Sequence, residues 1–346
     1  MACRAAVIGC GRIGSELADD ARSAGVQSHA GAYAACPDTI LAALCDVDLG
    51  KAARCAARWK VSAYYDDPGR MLLAEQPEIV SICTPDSTHA EMLHLALDTP
   101  SVRGILAEKP LATSLQEAEE IVEAAARRSV SLAVNYSRRY APSHIRVKEQ
   151  IAGGLIGAIQ SVSGNYTKGI IHNGTHWLDL ARFLIGDVAS VQGIDVRSEG
   201  GPDPTVDALV RFRSGVLGRL AGCRADAFTV FEMDVVGTRG RLRLLDNGQT
   251  IESYAVGDSP HYSGYRVLLL EQTTHGGMED LLLHAVNDLV RCLTGGGEPA
   301  CSGEDGLAAL RLALEIRDSA CALAGQPAAS RPARSIANDE STNPAA

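Results

Sequence analysis

Residues 1–135 alternate short, continuous apolar runs with segments whose apolar side chains recur at helical spacing. A continuous apolar run is typical of a strand that is buried on both faces, because neither face is turned to solvent. Strands that alternate with helices favour an α/β domain built on a doubly wound parallel sheet. The predicted strands are residues 5–8, 40–45, 79–83, 104–107 and 132–134.

From residue 140 onward, the pattern changes to short segments that mix apolar and polar side chains. Many are separated by Gly, Asp or Asn turns, which are typical of antiparallel connections. We predict an α+β domain over residues 136–324 with a mostly antiparallel sheet that is covered on one face. Residues 325–346 have no hydrophobic period and are rich in Pro, Ser, Asn and Ala, so we expect a disordered tail.

A glycine-rich turn follows the first predicted strand and precedes a helix predicted over residues 15–24. Gly9, Gly11 and Gly14 have the G-x-G-x-x-G spacing of a dinucleotide site. The first glycine permits a tight turn, the second a close approach of the pyrophosphate, and the third close packing of helix against strand. Free N–H groups at the start of a helix then attract the phosphates.

Asp46 ends the second predicted strand, where a carboxylate can accept both hydroxyls of an adenosine ribose. It would repel a 2′-phosphate, so it favours NAD over NADP; a solvated turn aspartate is the alternative. Asp46 follows Gly14 by 32 residues, whereas about 20 are usual. We interpret residues 25–38 as an inserted loop, which either borders the active site or is a surface excursion.

Two polar clusters carry the candidate chemistry. Lys109 ends the fourth predicted strand, where its ammonium could stabilise a substrate alkoxide; a surface ion pair with Glu108 is the alternative. His176 lies in the first turn of a predicted helix, where the helix dipole keeps it neutral and able to accept a proton, or it is a structural capping residue. Asp179 lies on the same helix face. His172 and His176 have the spacing of a metal pair, but a third ligand is not evident, so we expect no metal.

The segment after the fifth strand carries polar and aromatic side chains at the predicted domain junction, among them Asn135, Tyr136 and Arg139. Such side chains would either meet the nicotinamide and the substrate or pack the domain interface. Both interpretations stay open.

Composition limits the classes of partner and the compartment. The net charge of −10 argues against non-specific nucleic-acid binding. Ten cysteines include no CxxC pair, and several lie in predicted strands, which favours a reducing cytoplasm over disulfides. We expect no secretory leader, because the first strand begins almost at once. No apolar run approaches the ~20 residues that cross a bilayer, so we expect no membrane partner.

Together these motifs resemble the glucose–fructose oxidoreductase, inositol dehydrogenase and rhizopine-catabolism (Gfo/Idh/MocA) family. The resemblance implies a Rossmann domain followed by an open-faced, mostly antiparallel sheet through which homodimers or homotetramers form. It implies bound NAD(P) and hydride transfer at a carbon of a sugar, sugar nucleotide or cyclitol. The matching residues are 9–14, Asp46, 81–89, 108–111 and Gly174-x-His176-x-x-Asp179.

The resemblance also implies roles for individual residues. Lys109 would orient and polarise the substrate hydroxyl, His176 would be the general acid/base, and Asp179 is the third catalytic candidate. The cofactor residues would be Gly9, Gly11, Arg12, Ile13, Gly14, Asp46, Thr84, Pro85, His89, Glu108, Lys109 and Asn135. Taken together with the polar clusters above, the candidate substrate residues are Lys109, Tyr136, Arg139, His172, Asn173 and His176.

One position departs from the pattern of the family. Many of its dehydrogenases carry Asp four residues before the histidine, where this chain has His172. The departure leaves the substrate open, and Asp179 is the candidate to replace the missing carboxylate.

Two rival functions within the family are an NAD-dependent glycosidase and a non-catalytic NAD-bound regulator. The presence of both Lys109 and His176 argues against the regulator.

Overall fold

The first half of the chain forms the predicted parallel sheet in a computed structural model, which describes residues 2–20, 24–197 and 200–323. Its strands are β1 (Cys3–Ile8), β2 (Thr39–Cys45), β3 (Ala63–Tyr65), β4 (Ile79–Ile82), β5 (Gly104–Ala107) and β6 (Ser131–Val134). They lie in the order β3-β2-β1-β4-β5-β6, and all pairs are parallel. The order reverses between β1 and β4, so a ligand crevice opens beyond the carboxyl ends of these strands. Strand β3 was not predicted, because three half-exposed residues make no apolar run.

The first half of the chain also contributes five α-helices that pack against this sheet, among the residues that the structure describes. Four of them begin at side chains that accept a backbone N–H, namely Ser28, Asp48, Asp67 and Ser114. The helices are α1 (His29–Ala35), α2 (Leu49–Trp59), α3 (Pro68–Glu75), α4 (His89–Leu97) and α5 (Leu115–Arg128).

The helix predicted directly after the glycine turn was placed wrongly. The described part of that segment contains only a short 3-10 turn, Glu16–Asp19, and residues 21–23 lie outside the described ranges. The helix instead begins at His29, whose N–H donates to the carbonyl of Ile13 at 3.0 Å. The inserted residues therefore lie before α1 rather than after it. The first N–H groups of α1 bond directly to carbonyls of the glycine turn, so α1 takes the place of the helix that was predicted to follow that turn.

The second half forms the predicted mostly antiparallel sheet. Its strands are β7 (Ile159–Tyr166), β8 (Val188–Ile194), β9 (Asp207–Phe212), β10 (Leu217–Gly222), β11 (Phe231–Gly237), β12 (Gly240–Leu245), β13 (Thr250–Asp258) and β14 (Arg266–His275). They lie in the order β14-β13-β12-β11-β7-β10-β9-β8. Among these strands β7 and β10 pair in parallel, and the other neighbours are antiparallel.

Helices α6 (Pro142–Ala152), α7 (Thr175–Ile185) and α9 (Gly303–Leu323) pack on one face of this sheet, with Trp177 at the centre of the core. Helix α8 (Leu281–Gly295) instead buries Leu282, Val286 and Leu289 in the core of the first sheet. Helix α8 therefore packs against the first sheet, although its residues fall within the range predicted for the second domain. No helix in the described ranges is both long and apolar enough to span a bilayer. The tail predicted to be disordered, residues 325–346, lies outside these ranges.

A buried ion pair joins the two halves where β6 ends. Arg139 donates to both carboxylate oxygens of Asp179 on α7, with its Nε 3.0 Å from each. Asp305 on α9 accepts from the same guanidinium at 2.9 Å. Both side chains of the central pair are almost fully buried, at 8% and 1% exposure. A buried charge is tolerated only when it is paired, so the pair fixes α7 against the end of β6.

Asp179→Ala should destabilise the fold, because it leaves a buried guanidinium with a weaker set of acceptors. We expect the free energy of unfolding to fall by about 3 kcal/mol. Asp187→Ala is the matched control, since this carboxylate is 57% exposed and pairs with Arg182, and it should cost less than about 1 kcal/mol. Urea unfolding measures both values. Equal losses for the two variants would contradict a structural role for the Arg139–Asp179 pair.

Candidate active site

A cavity of about 540 Å³ lies where the carboxyl ends of β1, β4, β5 and β6 face the start of α7. It brings together many of the side chains that the sequence singled out. The predicted site residues that line it are Arg12, Ile13, Thr84, His89, Glu108, Lys109, Asn135, His172 and His176. Lining residues that the sequence did not single out are Gln27, Asp86, Ser137, Leu281 and Leu282.

The glycine turn leaves one open backbone face beside this cavity. Gly9 has φ +98°, and a Cβ there would lie 2.5 Å from the carbonyl oxygen of Cys83. A Cβ on Gly14 would lie 2.0 Å from the carbonyl oxygen of Gly9. A Cβ on Gly11 would meet only the Lys51 ammonium, at 3.7 Å. The first and third glycines are therefore required by packing, whereas Gly11 opens a cradle that suits a pyrophosphate.

Asp46 is fixed to this turn. Its carboxylate accepts the N–H of Cys10 at 2.9 Å and the N–H of Asp48 at 3.0 Å. Lys51 lies 3.9 Å from the same carboxylate and 3.7 Å from Glu16. Asp46 therefore lies at the end of β2 next to the glycine turn, which is the position from which a carboxylate meets an adenosine ribose.

Glu108 is a buried carboxylate at the floor of the cavity. It accepts from His29 Nε2 at 3.0 Å and from Asn135 Nδ2 at 2.6 Å. Burial alone would raise the pKa of Glu108, but these two partners and the nearby Lys109 hold it below its usual value. Its partner His29 was missed, because the sequence analysis assigned that residue to a loop.

Lys109 follows β5, and its peptide bond to Pro110 is cis. Its ammonium donates to the main-chain carbonyl of His172 at 3.0 Å and so connects the first half of the chain to the second. Burial lowers the pKa of Lys109, and the carboxylates of Glu108, Asp86 and Asp203 partly oppose that shift. A charged ammonium in a partly dehydrated site is well suited to stabilise developing negative charge on an oxygen.

His176 lies in the first turn of α7 and packs edge-on against Tyr136, with ring centroids 5.4 Å apart. Burial lowers the pKa of His176 well below its ordinary value, and the positive charges of Lys109 and Arg138 lower it further. The imidazole is therefore neutral at physiological pH, as a proton acceptor must be.

His172 lies one turn earlier, in the π-helical turn Ile170–Gly174 that leads into α7. Its Nδ1 is 3.0 Å from a carboxylate oxygen of Asp86, which follows β4. Asp203 accepts the N–H groups of Ile171 and His172 at 2.6 and 2.9 Å. His172 thus pairs with a carboxylate that follows β4 in the first half of the chain.

Several predicted site residues lie outside the cavity wall. Asp179 pairs with Arg139, so neither side chain of that pair is directed at Lys109. Asn173 donates to the carbonyl of Thr167 at 2.8 Å. Tyr136 is buried behind His176. These residues position the site rather than line it.

Two buried polar atoms in the wall have no hydrogen-bond partner within the described chain, Thr84 Oγ1 and Asn135 Oδ1. Buried polar atoms are normally satisfied, so these two indicate a polar ligand. Together with the open face at Gly11 and the fixed Asp46, they fit a nicotinamide dinucleotide. The described residues contain no cluster of three or more His, Cys, Asp or Glu side chains that could hold a metal ion.

The chain is similar in sequence to known dehydrogenases. The D-glucoside 3-dehydrogenase of Escherichia coli is 28% identical over 202 residues, which cover 53% of this chain and 54% of that protein. The myo-inositol 2-dehydrogenase of Thermotoga maritima is 25% identical over 342 residues, which cover 91% and 96%.

Solved structures share the fold. An NAD binding oxidoreductase from Klebsiella pneumoniae superposes with a TM-score of 0.77 at 24% identity, covering 93% of this chain and 97% of that one. Levoglucosan dehydrogenase in complex with NADH gives a TM-score of 0.78 at 20% identity, covering 93% and 98%.

Family models match both halves of the chain. The model of the oxidoreductase family with an NAD-binding Rossmann fold matches residues 3–136. The model of the C-terminal domain of the same family matches residues 168–243. The chain therefore belongs to the Gfo/Idh/MocA family of NAD-binding oxidoreductases.

Proposed function

We propose that this protein is an NAD-dependent dehydrogenase that transfers hydride between the nicotinamide and a hydroxyl-bearing carbon of a sugar, sugar nucleotide or cyclitol. The observation that carries the proposal is the single cavity shared by Lys109, His176 and the glycine-turn residues Arg12 and Ile13. Relatives named for inositol and glucoside oxidation support the same class of substrate.

NAD supplies the hydride acceptor when it is bound. The open backbone at Gly11 would hold the pyrophosphate, and Asp46 would accept the ribose hydroxyls. Thr84 Oγ1 and Asn135 Oδ1 would bond polar groups near the nicotinamide. The carboxylate of Asp46 disfavours a 2′-phosphate, so the preferred cofactor is NAD rather than NADP.

Lys109 and His176 have different roles in the reaction of the substrate. The ammonium of Lys109 holds the reacting hydroxyl and stabilises the negative charge that develops on its oxygen. His176 is neutral, so it accepts the hydroxyl proton while the hydride leaves the carbon. In the reverse direction His176 returns that proton to the reduced carbonyl. Asp179 acts indirectly, because its pair with Arg139 fixes α7 and hence the imidazole.

The cofactor preference should depend on Asp46. The wild type should bind NAD⁺ at least about tenfold more tightly than NADP⁺, because the carboxylate repels the 2′-phosphate. Asp46→Ser should reduce this preference for NAD⁺ over NADP⁺, mainly because NAD⁺ binds more weakly to the variant. Glu16→Gln is the control, since Glu16 also lies near Lys51 but is half exposed. Fluorescence titration with both cofactors measures the ratio, and an unchanged ratio in Asp46→Ser would contradict the assignment.

Turnover and its pH dependence should test the catalytic roles of Lys109 and His176. On the acid side of the profile the oxidation rate falls as His176 becomes protonated, so the acid limb of kcat/KM should lie well below the ordinary histidine pKa of 6.5. Lys109→Met removes a positive charge that lowers the pKa of His176, so the acid limb should move to higher pH. Lys109→Met should also lower kcat by about 10²-fold, and His176→Ala should lower it by about 10²–10⁴-fold and abolish the limb.

A panel of myo-inositol, D-apiose, levoglucosan and methyl β-D-glucoside with NAD⁺ supplies the assay, followed as NADH absorbance. Full turnover in either variant would remove that residue from the mechanism. Release of a free sugar without net NADH would point to a glycosidase. A wild type that oxidises nothing in the panel, although it binds NAD⁺, would contradict the proposed class of substrates.

We further infer a homodimer or homotetramer formed through the second sheet, in a reducing compartment such as the cytoplasm. The face of that sheet opposite α7 carries both signs of charge, with Asp207, Arg219 and Asp234 around a concavity of about 380 Å³. Light scattering should give a multiple of the 36.4 kDa chain mass. Arg219→Glu should lower that mass, and a monomeric wild type would contradict the inference.

A further inference from the structure

Asp86 and His172 meet across the cleft between the two halves of the molecule. Asp86 follows β4, and His172 precedes α7, so neither residue is near the other in sequence. Their Oδ2 and Nδ1 atoms are 3.0 Å apart, and both side chains line the cavity that contains Lys109 and His176. The side chains stay 39% and 50% exposed, so the pair is accessible to a ligand in the cavity.

His172 is held at three points. Its N–H donates to Asp203 at 2.9 Å, its carbonyl accepts from Lys109 at 3.0 Å, and its Nδ1 faces Asp86. These three contacts come from both halves of the chain and fix the backbone as well as the ring. An imidazole held in this way presents its remaining nitrogen, Nε2, in one direction.

The protonation of the pair follows from Asp86. Burial alone would raise the pKa of Asp86, but the hydrogen bond from His172 and the charge of Lys109 hold it below its usual value. An ionised carboxylate only accepts hydrogen bonds, so Nδ1 of His172 is the donor, and in the neutral form of the ring Nε2 then carries a lone pair. Neither Nε2 nor Asp86 Oδ1 has a hydrogen-bond partner within the described ranges. With the ring in its neutral form, the pair therefore offers two acceptor atoms to the cavity.

Two acceptors beside a negative charge suit a hydroxyl and disfavour an anion. A substrate hydroxyl can donate to Nε2 or to the carboxylate, whereas a phosphate or a carboxylate placed there would be repelled by Asp86. The pair also lies next to the reacting centre, because Lys109 bonds directly to the carbonyl of His172. Resting on the proposed dehydrogenase function, we propose that the Asp86–His172 pair binds the hydroxyl beside the reacting carbon and so selects neutral polyols.

The kinetic test compares the panel compound that is oxidised fastest with its analogue lacking the neighbouring hydroxyl. The wild type should prefer the parent by about 100-fold in kcat/KM, because the analogue leaves the acceptor atoms of the pair unused. His172→Leu should reduce that preference to less than about fivefold, and Asp86→Asn should give an intermediate value. His261→Gln, at an exposed histidine between β13 and β14, is the control and should match the wild type.

The matching sugar acid or phosphate ester supplies a second readout. Asp86→Asn should gain activity on this anion relative to the parent polyol, since the repelling charge is gone. A merely structural tie between the halves would instead lower the rate equally for every substrate. Unchanged discrimination in His172→Leu, or uniform losses in both variants, would overturn the proposal.

A substrate-free measurement separates this proposal from the proposed function. Long-range ¹H–¹⁵N spectra of histidine-labelled protein with NAD⁺ should show His172 with a proton on Nδ1 and none on Nε2 at pH 8, assigned by the loss of that signal in His172→Leu. Asp86→Asn should abolish this tautomer preference. A proton on Nε2, or a tautomer indifferent to Asp86→Asn, overturns the pair whether or not the panel is oxidised. An intact tautomer in a protein that oxidises nothing would instead sink the proposed function, and with it the substrate selection that rests on it.

Discussion

The site depends on the buried ion pair between Arg139 and Asp179. Arg139 lies four residues beyond Asn135 at the end of β6, and Asp179 lies nearly one helical turn beyond His176. Because neither charge can be left unpaired in the interior without a large cost, the pair admits one register of α7 against the first sheet. That register sets the distance between the imidazole on α7 and Lys109 beyond β5.

Lys109 remains available because every nearby carboxylate is bonded elsewhere. Glu108 accepts from a histidine and an asparagine, Asp203 from two main-chain N–H groups, and Asp86 from His172. In the part of the chain that the structure describes, Lys109 Nζ makes one hydrogen bond, to a neutral carbonyl. The carboxylates keep the ammonium charged despite its burial but do not neutralise it by contact. This arrangement leaves a positive charge for an alkoxide and keeps the adjacent His176 neutral.

Local patterns predicted much of the fold and much of the cavity wall. Residues at the carboxyl ends of parallel strands share one edge, so Thr84, Lys109 and Asn135 could be placed together from apolar runs alone. The sequence did not indicate which carboxylate would pair with which histidine or arginine side chain. Asp86 lies within a recognised motif, but its partner His172 is 86 residues away, and only the packing of the two halves brings them together. The prediction that Asp179 lines the site fails for the same reason. The helix face that carries Asp179 was predictable, but the position of the Arg139 guanidinium opposite that face was not.

The segment between Gly14 and α1 explains how the family turn tolerates an insertion. The N–H groups of His29 and Ala30 donate to Ile13 and Gly14, so the helix continues from the turn as if the intervening residues were absent. An insertion of this length adds little closure entropy, because that cost grows only with the logarithm of loop length. Its described end is nevertheless attached to the second half of the chain, where Val26 donates to Asp280 at 2.6 Å, just before α8. The neighbouring Gln27 lines the cavity with Leu281 and Leu282. The insertion therefore supplies part of the cavity wall, while the three glycines keep the close packing of the turn.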